Sequence, residues 1–333
     1  MSLVKYEVQK KLQQYAQDNV LQKTKFLNDP VYMLSDHQGA ANEVHFSPNG
    51  SILASCAEEI ILWSITDTVK SIGALRPHSR AITSLSWYAD STKLASVSAD
   101  TTICIQDIPT GTIIRRIKTH KEIINTCQFL KFDQNLLATG DDANMIYIHD
   151  IRTKDAVMSR KSNSPVVSLA SNGTSLAVGG IDGILYINTI QQNDSKIELM
   201  TRFKGDTPIF GCSFKKDGLY CAVVTADGYM RIYDNKFYYQ EVDRLIANER
   251  FAEDQIEIIP TRCVWSDTNL IAAGSTDGIL RIWDAENEKN PILKYSLPGH
   301  KGSVTGVDIH PNYPIVASCD SNGSVIVGEL GDS

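Results

Sequence analysis

Residues 271–284 read IAAGSTDGILRIWD, and this stretch decides the fold. Two apolar, β-prone runs flank a short polar break that holds Asp277 and Gly278. An Asp-Gly pair between β-rich runs is a strong hairpin signal, and it predicts positive φ at both turn residues. Residues 137–150, LATGDDANMIYIHD, fall into the same frame. Taking Trp283 as a reference slot, equivalents stand at Trp63, Gln106, His149, Asn188, Tyr233 and Gly328. The successive spacings are 43, 43, 39, 45, 50 and 45 residues, so the chain carries one unit seven times over.

The frame has physical support at each repeat. An apolar residue precedes every slot: Leu62, Ile105, Ile148, Ile187, Ile232, Ile282 and Val327. In most units a second stands two positions earlier, which is the alternation of a half-buried strand. Six residues before the slot stand Asp100, Asp182, Asp227, Asp277 and Asn322, and Gly follows in four units. A period near 40–45 residues with four short strands per unit is the pattern of WD-repeat propeller blades. The fold predicted is therefore all-β: a seven-bladed WD-repeat β-propeller with a short N-terminal helix outside the ring.

His37, His78, His120 and His300 each open a unit. In WD-repeat blades such a histidine joins a strand Ser or Thr, the turn Asp and the slot Trp in a hydrogen-bonded chain, each bond worth about 0.5–1.5 kcal/mol net. No unit here has all four members. Blade 2 has His78, Ser96 and Asp100 but Gln106 in place of Trp. Blade 3 has His120 and Thr139 but Ala143 in the Asp position, and blade 6 has Asp277 and Trp283 but no opening His. Apolar packing between blades is thus expected to supply most of the stability.

The last unit stops at Leu330 after its third strand, and the first is preceded by β-prone Val31-Tyr32-Met33-Leu34. An open propeller would leave a sheet edge unpaired, so residues 31–35 are expected to pair with 324–330 and close a ring over 31–330. Residues 1–30 form a separate extension. Val4, Val8, Leu12, Tyr15 and Leu21 recur at roughly helical spacing there, which predicts one amphipathic helix ended by Asn28-Asp29-Pro30.

Five lysines against Glu7 and Asp18 give residues 1–25 a net +3, leaving −10 for the rest of a chain whose formal charge is −7. An acidic body carries no basic stripe for gripping a nucleic-acid duplex. The seven cysteines are odd in number, form no CxxC pair and mostly sit in apolar runs. They read as buried small hydrophobes in a reduced, intracellular protein. No apolar run nears membrane-spanning length, and the N-terminus lacks a signal-peptide core.

Catalytic spacing is absent: there is no phosphate loop, GxSxG or HExxH, and the histidines and aspartates are distributed by repeat. The expectation is a non-enzyme with no cofactor and no metal. Arg80, Lys121 and Lys301 near blade entrances read as a solvated face, with a rim for acidic or phosphorylated peptides as the sharper alternative. The entrance positions Ala40, Ala81, Ile123 and Pro165 are small or apolar, which argues against a charged socket at the channel mouth.

Beyond the generic repeat, several stretches resemble the family of the small WD-repeat subunit of the U5 small nuclear ribonucleoprotein. They are WSDTNLIAAG (265–274) preceded by Thr261-Arg262-Cys263, YSLPGH (295–300), Met33-Leu34-Ser35 before His37, FSPNG (46–50), and Gly328-Glu329 where a last Trp-Asp normally stands. The resemblance covers residues 31–330. It implies a nuclear, non-catalytic splicing scaffold that docks on the large central U5 protein and its elongation-factor-like GTPase, meeting RNA only indirectly. Blade 1 departs from the other units by a turn about two residues short, between Ser55 and Trp63. The competing class is a peptide reader or adaptor in a chromatin or ubiquitin-ligase complex; a propeller enzyme comes third.

The 50 residues from Tyr233 to Trp283 are the longest interval and carry two aromatic groups, Phe237-Tyr238-Tyr239 and Asn248-Glu249-Arg250-Phe251. Val242 to Ile246 reads as the outer strand of blade 5. That leaves Arg250 and Phe251 in a loop free to reach outward, as a docking element of the residue types favoured at interface cores.

Overall fold

The computed structural model describes residues 26–66, 68–191, 195–235, 245–250 and 260–331. The helical positions Val4 to Leu21 of the extension read over residues 1–30, and Phe237, Tyr238, Tyr239 and Phe251, lie outside them. Within the described residues the secondary structure is all β, in seven antiparallel four-stranded sheets. Six sheets are each built from four consecutive strands; the seventh combines both ends of the chain. The innermost strands are Glu43–Phe46, Ile82–Trp87, Ile124–Phe129, Val166–Asn172, Ile209–Phe214, Cys263–Trp265 and Val304–Ile309. Each touches the next, and the last touches the first, so they enclose a central channel.

Val31–Leu34 is the outermost strand of blade 7 and pairs antiparallel with Val325–Glu329, Tyr32 facing Val327. The chain meets the ring even before this strand. Leu27 is 3% exposed in the apolar cluster between blades 7 and 1, and its N–H donates to Glu329 Oε2 at 3.1 Å. Phe26 lies 4.4 Å from the Tyr313 ring. Glu329, in the position of a final Trp-Asp aspartate, therefore ties the entering chain to the last blade.

Seven apolar clusters hold the blades together, one at each interface. They arise because both faces of every middle strand are covered: Leu136–Asp141 and Ile315–Asp320 are buried throughout. At roughly 1.5–3 kcal/mol for each large side chain buried, this packing dominates the stability. All seven cysteines are buried and unpaired within it. No helix among the described residues is long and apolar enough to cross a membrane.

The hairpin turns differ from the reading above in one respect. Only the second member of the pair has positive φ: Gly183, Gly228, Gly278 and Gly323 take values from 73° to 82°, while the Asp or Asn before them does not. The turn is closed by a bond one residue wider, as from Gly278 N to Ser275 O, which puts Gly at the last position of a four-residue turn. Thr101 and Asn144 occupy that position in blades 2 and 3, both at φ 66°.

Candidate interaction surfaces

The entrance of each blade is built around the opening histidine. In blade 1, Trp63 Nε1 donates to Ser55 Oγ at 2.9 Å, and Ser55 meets His37 Nε2 at 2.7 Å. In blade 2, His78 Nε2 meets Ser96 Oγ at 2.9 Å and Gln106 reaches the same oxygen at 3.3 Å, so the amide stands in for the indole. The other ring nitrogen of His78 lies 3.1 Å from Asp100 Oδ2. Burial opposes ionisation of Asp100, but bonds from the Ser79 N–H and Thr102, with His78 beside it, hold its carboxyl down at about 2.

Blade 3 corrects the reading of its turn. Ala143 is indeed in the repeat position, but Asp141, two residues earlier, takes the aspartate's role and lies 2.7 Å from His120 Nδ1. His120 Nε2 meets Thr139 Oγ1 at 2.8 Å, and His149 reaches the same hydroxyl at 3.2 Å from the Trp slot. Blade 7 does likewise: Asp320, not Asn322, stands 3.1 Å from His300, whose other nitrogen meets Ser318 Oγ at 2.7 Å. Blades 4, 5 and 6 lack the histidine, and their turn aspartates find other partners. Asp182 accepts from Tyr186 Oη at 2.7 Å, Asp227 pairs with Arg231 at 2.5 Å, and Asp277 with Arg281 at 2.7 Å. Trp283 is buried in the cluster between blades 5 and 6.

The channel wall carries a charged group that the entrance residues did not announce. Asn42, Thr83, Asn125 and Thr305 occupy one position of the inner strands, and each bonds a carbonyl of the next blade: Ile82, Ile124, Val166 and Ala41 respectively. Blades 4 and 5 have Val167 and Phe210 there, which offer no donor. Blade 6 has Arg262. Its guanidinium reaches across the channel to Val167 O at 2.7 Å, Asn125 O at 3.0 Å and Phe210 O at 3.3 Å, with Nε 3.3 Å from Glu43 Oε1. One side chain of blade 6 thus binds blades 3, 4, 5 and 1.

Glu43 also accepts the Leu85 N–H of blade 2 at 2.6 Å, and His45 lies 3.5 Å from both Glu43 and Asp308. Burial works against both charges, yet Arg262 and His45 hold the Glu43 carboxyl below its ordinary value. Glu43 and Asp308 in turn raise the His45 imidazole. Arg262, Glu43, His45 and Asp308 form a neutral set whose charges are spent on one another and on backbone. The missed signal was Arg262 itself, an unusual residue type at a position otherwise Asn, Thr or apolar. No group of three or more His, Cys, Asp or Glu among the described residues is placed to hold a metal ion.

The outer strand of blade 5 is Leu245–Arg250, three residues later than Val242 to Ile246. Arg250 therefore closes a strand rather than standing in a free loop: it pairs with Tyr229, and its guanidinium lies 5.9 Å from the Tyr229 ring. It remains exposed on the outer edge of the ring. Arg80, Lys121 and Lys301 are exposed near the entrances of blades 2, 3 and 7.

Seven four-stranded blades closed by a strand from the opposite terminus, with Ser/Thr–His relays at the blade entrances, define a WD-type propeller. The chain belongs to the WD-repeat family: the "WD domain, G-beta repeat" family matches residues 28–62, 69–107, 197–234, 260–284 and 292–327. The gap from 108 to 196 covers blade 3 and most of blade 4, whose slots hold His149 and Asn188, yet both fold as full blades. Within the family the chain is similar to pre-mRNA-splicing factor cwf17 of Schizosaccharomyces pombe, 32% identical over 94% of this chain and 91% of that protein. It is similar also to the U5 small nuclear ribonucleoprotein 40 kDa protein of Dictyostelium discoideum, 31% identical over 93% of this chain and 87% of that protein. The protein of the same name from Homo sapiens is 31% identical over 91% of this chain and 85% of its own length.

Proposed function

We propose that this protein is a non-catalytic scaffold of pre-mRNA splicing, a nuclear subunit of a U5-type ribonucleoprotein held there by protein contacts. The observation that carries the reading is likeness along the whole ring to three proteins named for splicing or for the U5 particle. The polar side chains support it, because the relay residues and the channel charges are engaged in holding blades together rather than converging on a reactive centre. By family resemblance the partners are the large central U5 protein and the elongation-factor-like GTPase. With an acidic body, the free chain is read as meeting U5 RNA only indirectly. The helical positions Val4 to Leu21 serve in this reading as an extension outside the ring, which the chain joins at Phe26 and Leu27. The chain between Tyr233 and Trp283, with Arg250 at the outer edge of blade 5 and with Phe251 and the Phe237-Tyr238-Tyr239 group in its sequence, is the docking element.

Affinity purification of the tagged full chain from nuclear extract tests the reading. Co-recovery of U5 RNA and the large U5 protein supports it. Histones or cullins in their place support the peptide reader or adaptor class and overturn it. The double variant Arg250→Ala, Phe251→Ala tests the docking element separately. It is expected to melt like the parent while recovering less of the large U5 protein, and undiminished recovery removes that edge from the interface.

A further inference from the structure

In blades 2, 3 and 7 a turn aspartate stands 3.1, 2.7 and 3.1 Å from Nδ1 of the opening histidine, and blade 1 has no such ion pair among the described residues. His37 is only 7% exposed, its Nε2 meets Ser55 Oγ, and its Nδ1 has no hydrogen-bond partner among the described residues. The relay fixes what that atom is. Trp63 Nε1 can only donate, so Ser55 Oγ accepts from it, and His37 Nε2 is the one acceptor among the described residues within reach of the buried hydroxyl proton. Nε2 is then the acceptor nitrogen, and Nδ1 carries the ring proton. Burial pulls the imidazole toward neutrality, against the charges of Glu59 and Asp36. Nδ1 is a buried N–H donor in want of an acceptor, a condition that opposes folding.

Blade 2 shows what that acceptor is. There the Asp100 carboxylate takes both the His78 ring nitrogen and the N–H of the next residue, Ser79, at 3.0 Å. In blade 1 the next residue is Gln38, whose N–H has no acceptor among the described residues. The hairpin that would carry the aspartate is too short. Only Ala57, Glu58 and Glu59 join the paired residues Cys56 and Ile60, against five residues between Val97 and Ile103 in blade 2. Glu59 turns away to Arg76 at 2.8 Å. What the short turn leaves is a cavity of about 350 Å³ lined by His37, Gln38, Glu58, Arg76, Ser79 and Arg80 among others. Arg80, exposed at its edge, makes no ion pair among the described residues.

We propose that this groove binds the carboxylate of an aspartate or glutamate side chain on a protein partner, which completes the blade 1 relay as Asp100 completes that of blade 2. Gln38 follows His37 as Ser79 follows His78, so the two N–H groups correspond to the pair that Asp100 takes in blade 2, and Arg76 and Arg80 line the groove against the charges of Glu58 and Glu59. A lysine of a partner would bring a third donor to two donors, and a neutral amide would gain nothing from Arg80. The site is independent of the splicing reading, since any partner with an acidic loop fits it.

The test uses the full chain labelled with ¹⁵N-histidine and three blocked tripeptides, acetyl-Gly-Glu-Gly-amide and its Gln and Lys counterparts. Long-range ¹H–¹⁵N spectra report the His37 tautomer directly. The expected result is an Nδ1-protonated His37 whose Nδ1 resonance shifts saturably with the Glu peptide, at least tenfold more weakly with Gln, and not with Lys. Two variants check the location. Gly39 lines the groove and a Cβ there meets nothing within 4 Å, so Gly39→Trp is expected to fill the groove and abolish the shift at unchanged melting temperature. Replacing Ala57-Glu58-Glu59 by the blade 2 turn Ser-Ala-Asp-Thr-Thr is expected to abolish it while raising the melting temperature. An Nε2-protonated His37, equal response to Glu and Gln, preference for Lys, stronger displacement by inorganic phosphate than by the Glu peptide, or a shift that survives Gly39→Trp would each overturn the proposal.

Discussion

Replacing Arg262 by Met asks whether one side chain spans the ring. The substitution keeps the stem's bulk and deletes the guanidinium, which makes three bonds to backbone carbonyls at 2.7–3.3 Å and an ion pair at 3.3 Å. Two effects oppose each other. Removing a largely buried cation relieves its desolvation, but it strands the Glu43 carboxylate, and breaking a buried pair from one side costs about 3–5 kcal/mol. Glu43 keeps the Leu85 N–H and His45, so the lower end applies, about 3 kcal/mol. For a chain of 333 residues the unfolding entropy is roughly 0.7 kcal/mol/K, so that loss lowers the melting temperature by about 4 °C. Arg262→Lys keeps the charge but not the fork, and should fall between Met and the parent. Adding Glu43→Gln to Arg262→Met removes the stranded charge and should restore about 1–2 kcal/mol, a coupling that a double-mutant cycle reads from urea unfolding. If Arg262→Met is as stable as the parent, or Glu43→Gln adds its full cost on top, the guanidinium is not a tie across the channel.

Two further perturbations follow from the same geometry. His149 is fully buried, and burial together with the neighbouring His120 lowers its pKa to about 3. Because the folded state keeps it neutral while the unfolded chain takes up a proton below about 6.5, stability is lost as pH falls through that value, by about 2 kcal/mol at pH 5. His149→Gln, which copies Gln106 in the same slot of blade 2, should flatten that slope in urea titrations from pH 7 to 5; an unchanged slope would place the acid sensitivity elsewhere. Deleting residues 1–36 removes the Val31–Leu34 strand and Leu27 and exposes the Val325–Glu329 edge, so the shortened chain should melt earlier and self-associate in light scattering, whereas a parental melting temperature would refute closure by that strand.

The repeat frame, the number of blades and the hairpin turns were legible in the sequence because they are local. Alternating apolar residues and an Asp-Gly turn act within some fourteen residues, and seven copies reinforce one another. The outer strand of blade 5 was misplaced for a related reason: an edge strand has one neighbour and little burial, so Leu245–Arg250 ends in polar Asn248-Glu249-Arg250 with no alternation to mark it. Spacing put an alanine in the turn position of blade 3, while Asp141 reaches His120 from two residues earlier, because a backbone turn can present either position to the same nitrogen. What only the tertiary structure decided is what crosses between blades. The carbonyls that hold Arg262 lie 52, 95 and 137 residues away in the chain, and no local pattern encodes such a meeting. His37 Nδ1 is of the same kind: the sequence contains the short turn and the histidine, but only the folded structure shows that Glu59 pairs with Arg76 and leaves that nitrogen without an acceptor among the described residues, in a groove that Arg80 of blade 2 also lines.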